Sequence, residues 1–196
     1  MHAKDHWEKV YSTKAATEVS WFQPHAQLSL KLIHNTGVAK TAAIIDVGGG
    51  ASTLVDDLLN EGFSKLTVLD LSAAALATAQ TRLAEKAATV NWRAANILQA
   101  DFANHSIDLW HDRAVFHFLT SEAERQQYVQ KVMQAVKPGG FVIVATFAED
   151  GPTKCSGLPV MRYSASELHS EFGAPFQLLG QEQEAHQTPA GQIQKF

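Results

Sequence analysis

A short apolar run, Ile44-Ile45-Asp46-Val47, ends in Gly48-Gly49-Gly50-Ala51-Ser52, and a second, Val68-Leu69-Asp70-Leu71-Ser72, brings another acid 24 residues after the first. Apolar, β-branched runs of this length read as strands buried in a parallel sheet. Three glycines at the C-terminal tip of such a strand permit a tight turn and let another molecule lie directly on the backbone. The acid that closes the next strand then sits beside that turn, in the crevice at the carboxyl ends of the strands, where it can accept hydrogen bonds from a ribose diol. Together these parts describe a site for a nucleoside-bearing cofactor on a doubly wound sheet.

The glycine turn also bears on which nucleoside it holds. The dinucleotide fingerprint G-x-G-x-x-G needs a third glycine for close helix–strand packing, and Thr53 stands in that place. Asp46, two residues ahead of the glycines, would repel a diphosphate and suits a cationic ligand. S-adenosylmethionine, with a sulfonium and an ammonium, matches that charge. A nicotinamide-dependent oxidoreductase and a non-catalytic cofactor-binding subunit are the alternatives from other classes.

At this point the sequence resembles the class I S-adenosylmethionine-dependent methyltransferases, whose first motif has the form D-x-G-x-G-x-S/T; Asp46 to Ser52 match it closely. The resemblance continues along most of the chain. Asp70 matches the family's ribose-binding acid, with Leu71 beside it. Asn96, followed by Ile97, stands where the family usually has an acid that binds the adenine amino group; its amide oxygen can accept the same hydrogen bond. Ile107 to Asp112 looks like strand four and its tip, and Val136-Lys137-Pro138-Gly139-Gly140 like the turn before strand five. The implied fold is α/β: a doubly wound, Rossmann-like sheet of seven strands in the order 3-2-1-4-5-7-6, with strand seven antiparallel. The implied activity is methyl transfer from S-adenosylmethionine. The N-terminal pattern Trp7-x-x-x-Tyr11 with Ser20-Trp21-Phe22 is similar to the protein-lysine enzymes acting on elongation factor 1A or citrate synthase, and also to the thiopurine and tellurite methyltransferases.

With 196 residues, 45% hydrophobic and 18% charged, the chain has the size and composition of one globular domain. A net charge of −4 without any run of Lys or Arg disfavours a nucleic-acid partner. Apolar stretches are too short for a membrane span, Met1 to Val10 lacks the apolar core of a secretory leader, and the single Cys155 suits a reducing cytoplasm. The nine histidines show no ligand spacing, so no metal is expected.

Strands alternate with helical stretches. Helices are expected over Pro24–His34, Ser52–Leu59 and Ala73–Ala87 (N-cap Ser72), and after the capping-box pairs Ser121/Glu124 and Ser164/Glu167. The third strand is read at Thr89–Arg93, and strands six and seven at Phe176–Ala185 and Gln192–Phe196, the last being short: an edge stub or a chain that continues. Residues 1–23, dense in aromatics, and 149–163, rich in turn formers, fall outside the core units; by resemblance they form an N-terminal lid and a covering loop around the acceptor pocket.

Displacement on an activated methyl group asks the protein mainly to align the nucleophile and exclude water, and no triad or carboxylate pair stands out. Asp112, at the tip of strand four, is the choice for orienting an acceptor or the cofactor's amino group, against the alternative of pairing with Arg113 or a helix N-terminus. Trp21 is a candidate to stack on the cofactor. His111 alternates to the opposite face, His117 is a candidate base at the pocket mouth, Trp110 reads as core, and Cys155 lacks an activating neighbour. The small covering elements favour a compact small-molecule acceptor, with a protein side chain, such as lysine, as the alternative.

Overall fold

The computed structural model describes residues 3–196. Five strands, β1 (Ala43–Val47), β2 (Lys65–Asp70), β3 (Asn91–Ala94), β4 (Ile107–Arg113) and β5 (Val136–Ala145), form one sheet in the order β3-β2-β1-β4-β5. All four pairings are parallel. The register sets Asp46 beside His111 and Val47 beside Asp112, so the tips of β1 and β4 end level. The expected turn Lys137–Gly140 lies within β5 as a register shift, its partner stepping from Ile107 to Leu109 while Val136 gives way to Phe141.

Strand alternation divides the core. Ile44, Val68 and Leu109 face Leu54, Val55 and Leu58 of α3 (Leu54–Asn60), Leu76 and Leu83 of α4 (Ala73–Leu83) and Ile33 of α2 (Gln27–Thr36). Ile45, Leu69 and Trp110 face Tyr128, Val129 and Val132 of α5 (Glu122–Ala135) and Phe172 of α6 (Ala165–Phe172). Helices on both sides of a parallel sheet follow from strands that are apolar on both faces. The caps lie where the sequence puts them: the Ser72 hydroxyl accepts from the Ala75 amide, Ser121 from Glu124, and Ser164 shares a full capping box with Glu167. The helix expected to run to Ala87 ends at Leu83 and tightens into a 3-10 stretch over Ala84–Thr89.

The seven-strand order is not what the sheet shows. No sheet strand forms over Phe176–Glu184, where Leu178 and Leu179 are 48% and 71% exposed and the Gln/Glu run offers no apolar face to bury. The last segments instead make a small antiparallel pair, β8 (Ala185–Gln187) with β9 (Ile193–Lys195), outside the main sheet. That pair is tied down by the Ala148 amide on the Lys195 carbonyl and by Phe196 packed on Phe147. Residues 149–163 hold a second two-residue hairpin, β6 (Lys154–Cys155) with β7 (Leu158–Pro159), turned at Ser156 and Gly157, both with positive φ.

The N-terminal helix α1 (Ala3–Thr13) lies over the carboxyl ends of β1 and β2; Met1 and His2 are outside the described residues. Its Glu8 carboxylate accepts from the Ala73 and Ala74 amides at 2.7 and 3.2 Å and from the Ser72 hydroxyl, so an acid of α1 satisfies the first amides of α4. Among the described residues no helix is long and apolar enough to cross a membrane.

Candidate active site

Two adjoining cavities open at the carboxyl ends of the strands, and Tyr11, Trp21, Gly48 and Arg113 line both. The larger, about 300 Å³, runs from Asp70 and Leu71 past Asn96, Ile97 and Leu98 to a mouth formed by Trp7, Phe118, Leu158 and Pro159. The smaller, about 50 Å³, lies against Asp46, Gly49, Ser29 and His111.

The glycine turn is built around the strand-tip acids. Gly48 and Gly50 hold φ values of +71° and +26°, and a Cβ on Gly49 would lie 2.4 Å from Asp46 Oδ2. One on Gly50 would lie 2.6 Å from Asp70 Oδ2. Backbone and carboxylates therefore share a space that only glycine leaves open. Gly50 itself lines neither cavity.

Asp70 is 8% exposed and accepts from the Ser72 amide at 2.8 Å. Burial, with smaller pushes from Asp46 and Glu8, raises its carboxyl to about 7. It is an acid short of donors, facing an apolar cleft. Asn96 lines the same cleft, but its amide oxygen already accepts from the Leu98 amide at 3.0 Å, which leaves one lone pair available. Asp46 is held from behind: His111 Nδ1 lies 2.7 Å from its Oδ1, and His111 Nε2 lies 2.9 Å from Ser29 Oγ. His111 thus takes the face opposite the core of α5, as its alternation predicts.

The β4 tip differs from its expected role. Asp112 has no exposed surface and lines neither cavity. Its carboxylate accepts from the Tyr128 hydroxyl at 2.5 Å and from the Val115 and Phe116 amides at 2.9 and 3.1 Å, and Trp110 Nε1 donates to the Tyr128 oxygen at 2.9 Å. Burial lifts the Asp112 carboxyl to about 6 against the pull of these donors. Asp112 thus accepts from the amides at the start of the turn Phe116–Phe118, the kind of helix-terminus pairing weighed as an alternative from sequence.

His117 also turns away from the cleft. It is fully buried between Phe118 and Phe147, its Nδ1 accepts from the Phe147 amide, and burial followed by the charge of Arg113 drops it to about 3. It stays neutral and does not line either cavity. Cys155 does line the cleft, with its thiol pushed up to about 12 by burial, so it is no nucleophile. Trp21 lines both cavities and donates from Nε1 to the Tyr11 hydroxyl at 3.1 Å.

Residues 44–140, from β1 to the turn in β5, match the family model described as a methyltransferase domain. The chain is a class I S-adenosylmethionine-dependent methyltransferase. EEF1A lysine methyltransferase 2 of Danio rerio is 25% identical to this methyltransferase over 161 residues, which cover 73% of the chain and 67% of the relative. The Homo sapiens protein of that name is 23% identical over 194 residues, covering 90% and 75%. The fold is shared with a SAM-dependent methyltransferase from Anabaena variabilis, with a TM-score of 0.73 at 17% identity over 100% of this chain and 91% of that one.

The residues present fit S-adenosylmethionine. An under-satisfied buried acid at the β2 tip calls for hydroxyl donors, Leu71, Ile97 and Leu98 give apolar faces for a purine, and Asp46 supplies a negative charge beside the glycine turn. When bound, the cofactor supplies a methyl group already activated by its sulfonium. The protein's share is alignment and exclusion of water. Sequence reasoning missed Arg113 as a site residue, since it read this side chain only as a partner for Asp112. It also left Tyr11 unassigned, and the signal that would have found it is its spacing from Trp7, four residues apart on one helix face.

Proposed function

We propose that this methyltransferase modifies the side-chain amine of a protein lysine. The observation that carries the reading is the aromatic mouth of the cleft. Trp7 meets Trp21 and Phe118 edge to face, with ring centroids 5.6 and 5.3 Å apart, and Tyr11 meets Trp21 at 6.2 Å. Such walls accept an aliphatic stem, and their ring faces attract an ammonium. A cleft of about 300 Å³ is at the small end for a ligand site. A nucleoside placed along Asp70, Asn96 and Ile97 leaves room for a slender acceptor. The relatives named as EEF1A lysine methyltransferases support the same reading and weigh against the compact small-molecule acceptor favoured from sequence.

Within it, Asp70 accepts the ribose hydroxyls and Asn96 the adenine amino group. Leu71, Ile97 and Trp21 pack on the nucleoside, Gly48, Gly49 and Asp46 cradle the amino-acid arm, and Gly50 leaves the space that the Asp70 carboxylate occupies. An amine entering between the rings leaves water, which lowers its pKa and helps to free the lone pair that attack requires. Asp112 holds the β4 tip in place through the turn it caps and takes no part in the reacting group.

The test is transfer of labelled methyl from S-adenosylmethionine into a protein lysate and, in parallel, a metabolite extract of the source cell, followed by hydrolysis and amino-acid analysis. Label recovered as methyllysine is the expected result. Label confined to the metabolite fraction would overturn the reading.

A further inference from the structure

Among the described residues that line the two cavities, Arg113 is the one that bears a guanidinium or ammonium group, and it lines both. Its side chain is 13% exposed and its guanidinium lies 4.2 Å above the Phe196 ring, which fixes the plane of the fork. Glu184 Oε2 accepts from Arg113 Nε and Nη2 at 3.3 and 2.9 Å, while Glu184 Oε1 accepts from Gln23 Nε2 at 2.5 Å. A third donor reaches the Trp21 carbonyl at 3.4 Å, near the limit of a hydrogen bond. A guanidinium has five N–H donors, so two of them have no acceptor in this arrangement.

The smaller cavity thus holds the carboxylate of Asp46, fixed by His111, and the guanidinium of Arg113, fixed by Glu184 and Phe196. A negative and a positive group across one small cavity complement a zwitterion. We infer that Arg113 receives the α-carboxylate of the cofactor's amino-acid arm, with Glu184 the resident carboxylate that aligns the fork and competes for it. Asp46 alone would draw any cationic nucleoside; Arg113 adds selection for one that carries a carboxylate beside its amine. The inference concerns the cofactor only and stands apart from the identity of the acceptor.

Calorimetric titration of the full chain with two ligands tests it: S-adenosylhomocysteine, and its decarboxylated counterpart, which keeps the amine. Arg113→Met should weaken S-adenosylhomocysteine by about tenfold or more, the loss expected for hydrogen bonds between charged groups, and leave the decarboxylated ligand as in the parent. Glu184→Gln removes the competing charge and should strengthen S-adenosylhomocysteine by about threefold, again with no change for the decarboxylated ligand. An equal loss of both ligands in Arg113→Met would overturn the inference, since Arg113 would then act only by holding the C-terminal hairpin. So would unchanged binding of both. Should Arg113→Met fail to fold, Glu184→Gln decides, and a ratio of the two affinities equal to that of the parent rejects the assignment.

Discussion

Asp70 and Asp112 close the two strands that flank β1, both are buried, and burial raises both carboxyls, to about 7 and about 6. Their surroundings then part. The carboxylate at the β2 tip takes the Ser72 amide on Oδ1, and its Oδ2 faces the glycine turn and the cleft. The carboxylate at the β4 tip accepts from Tyr128, Val115 and Phe116 and lines neither of the two cavities. An acid at the end of a parallel strand is thus not a ligand site by position alone. Which donors the following turn supplies decides between holding a ligand and holding the fold.

The contrast breaks most readily at the saturated end. Asp112→Ala strands the Tyr128 hydroxyl and two backbone amides in the core and should lower the free energy of unfolding by about 3–5 kcal/mol in a denaturant titration. A loss of less than about 1 kcal/mol would show the network to be decorative. At the open end, Gly48→Val places a side chain at φ +71°, with its Cβ 2.1 Å from Val115 Cγ2. S-adenosylhomocysteine binding should fall about a hundredfold or more, near 3 kcal/mol, as read by calorimetry.

Acidity sharpens the comparison further. The folded pKa of Asp70, about 7, lies above the ordinary 3.8, so between those values the folded chain holds a proton that the unfolded chain has lost. Its ionised form therefore costs stability above pH 7, and that cost is relieved as the pH falls through 7 toward 4. Ribose hydroxyls favour the ionised form, so binding of S-adenosylhomocysteine should weaken below pH 7 by at most about tenfold per pH unit and level off above it. Asp70→Asn should flatten that profile; a profile that stays steep in the variant assigns the titration to another group. The smallest expected effect is that of Tyr128→Phe, which removes one donor to Asp112 and should cost about 1–2 kcal/mol of stability while ligand affinity stays within about twofold.

What the sequence revealed follows the same division. The β1 and β2 tips were legible because the chemistry is local: glycine backbone freedom and an acid at a fixed spacing. The three serine caps were legible for the same reason, each needing only an amide three residues on. The surroundings of Asp112 were not legible because its partners come from Tyr128, across the core on α5, and from a turn whose 3-10 geometry leaves no mark in composition. Arg113 gains its place from Glu184 and Phe196, more than seventy residues away. The sixth strand failed on similar grounds: whether 176–184 pairs with a sheet edge depends on tertiary contacts that its exposed Leu178 and Leu179 do not make.

The most direct measurement sets two isosteric changes side by side, Asp70→Asn and Asp112→Asn, each followed by chemical denaturation and by calorimetry with S-adenosylhomocysteine. The account predicts that Asp70→Asn keeps or gains stability at pH 8 and binds at least about tenfold more weakly, while Asp112→Asn loses stability and binds within about threefold of the parent. The opposite pattern, ligand lost with Asp112 and retained with Asp70, would contradict it.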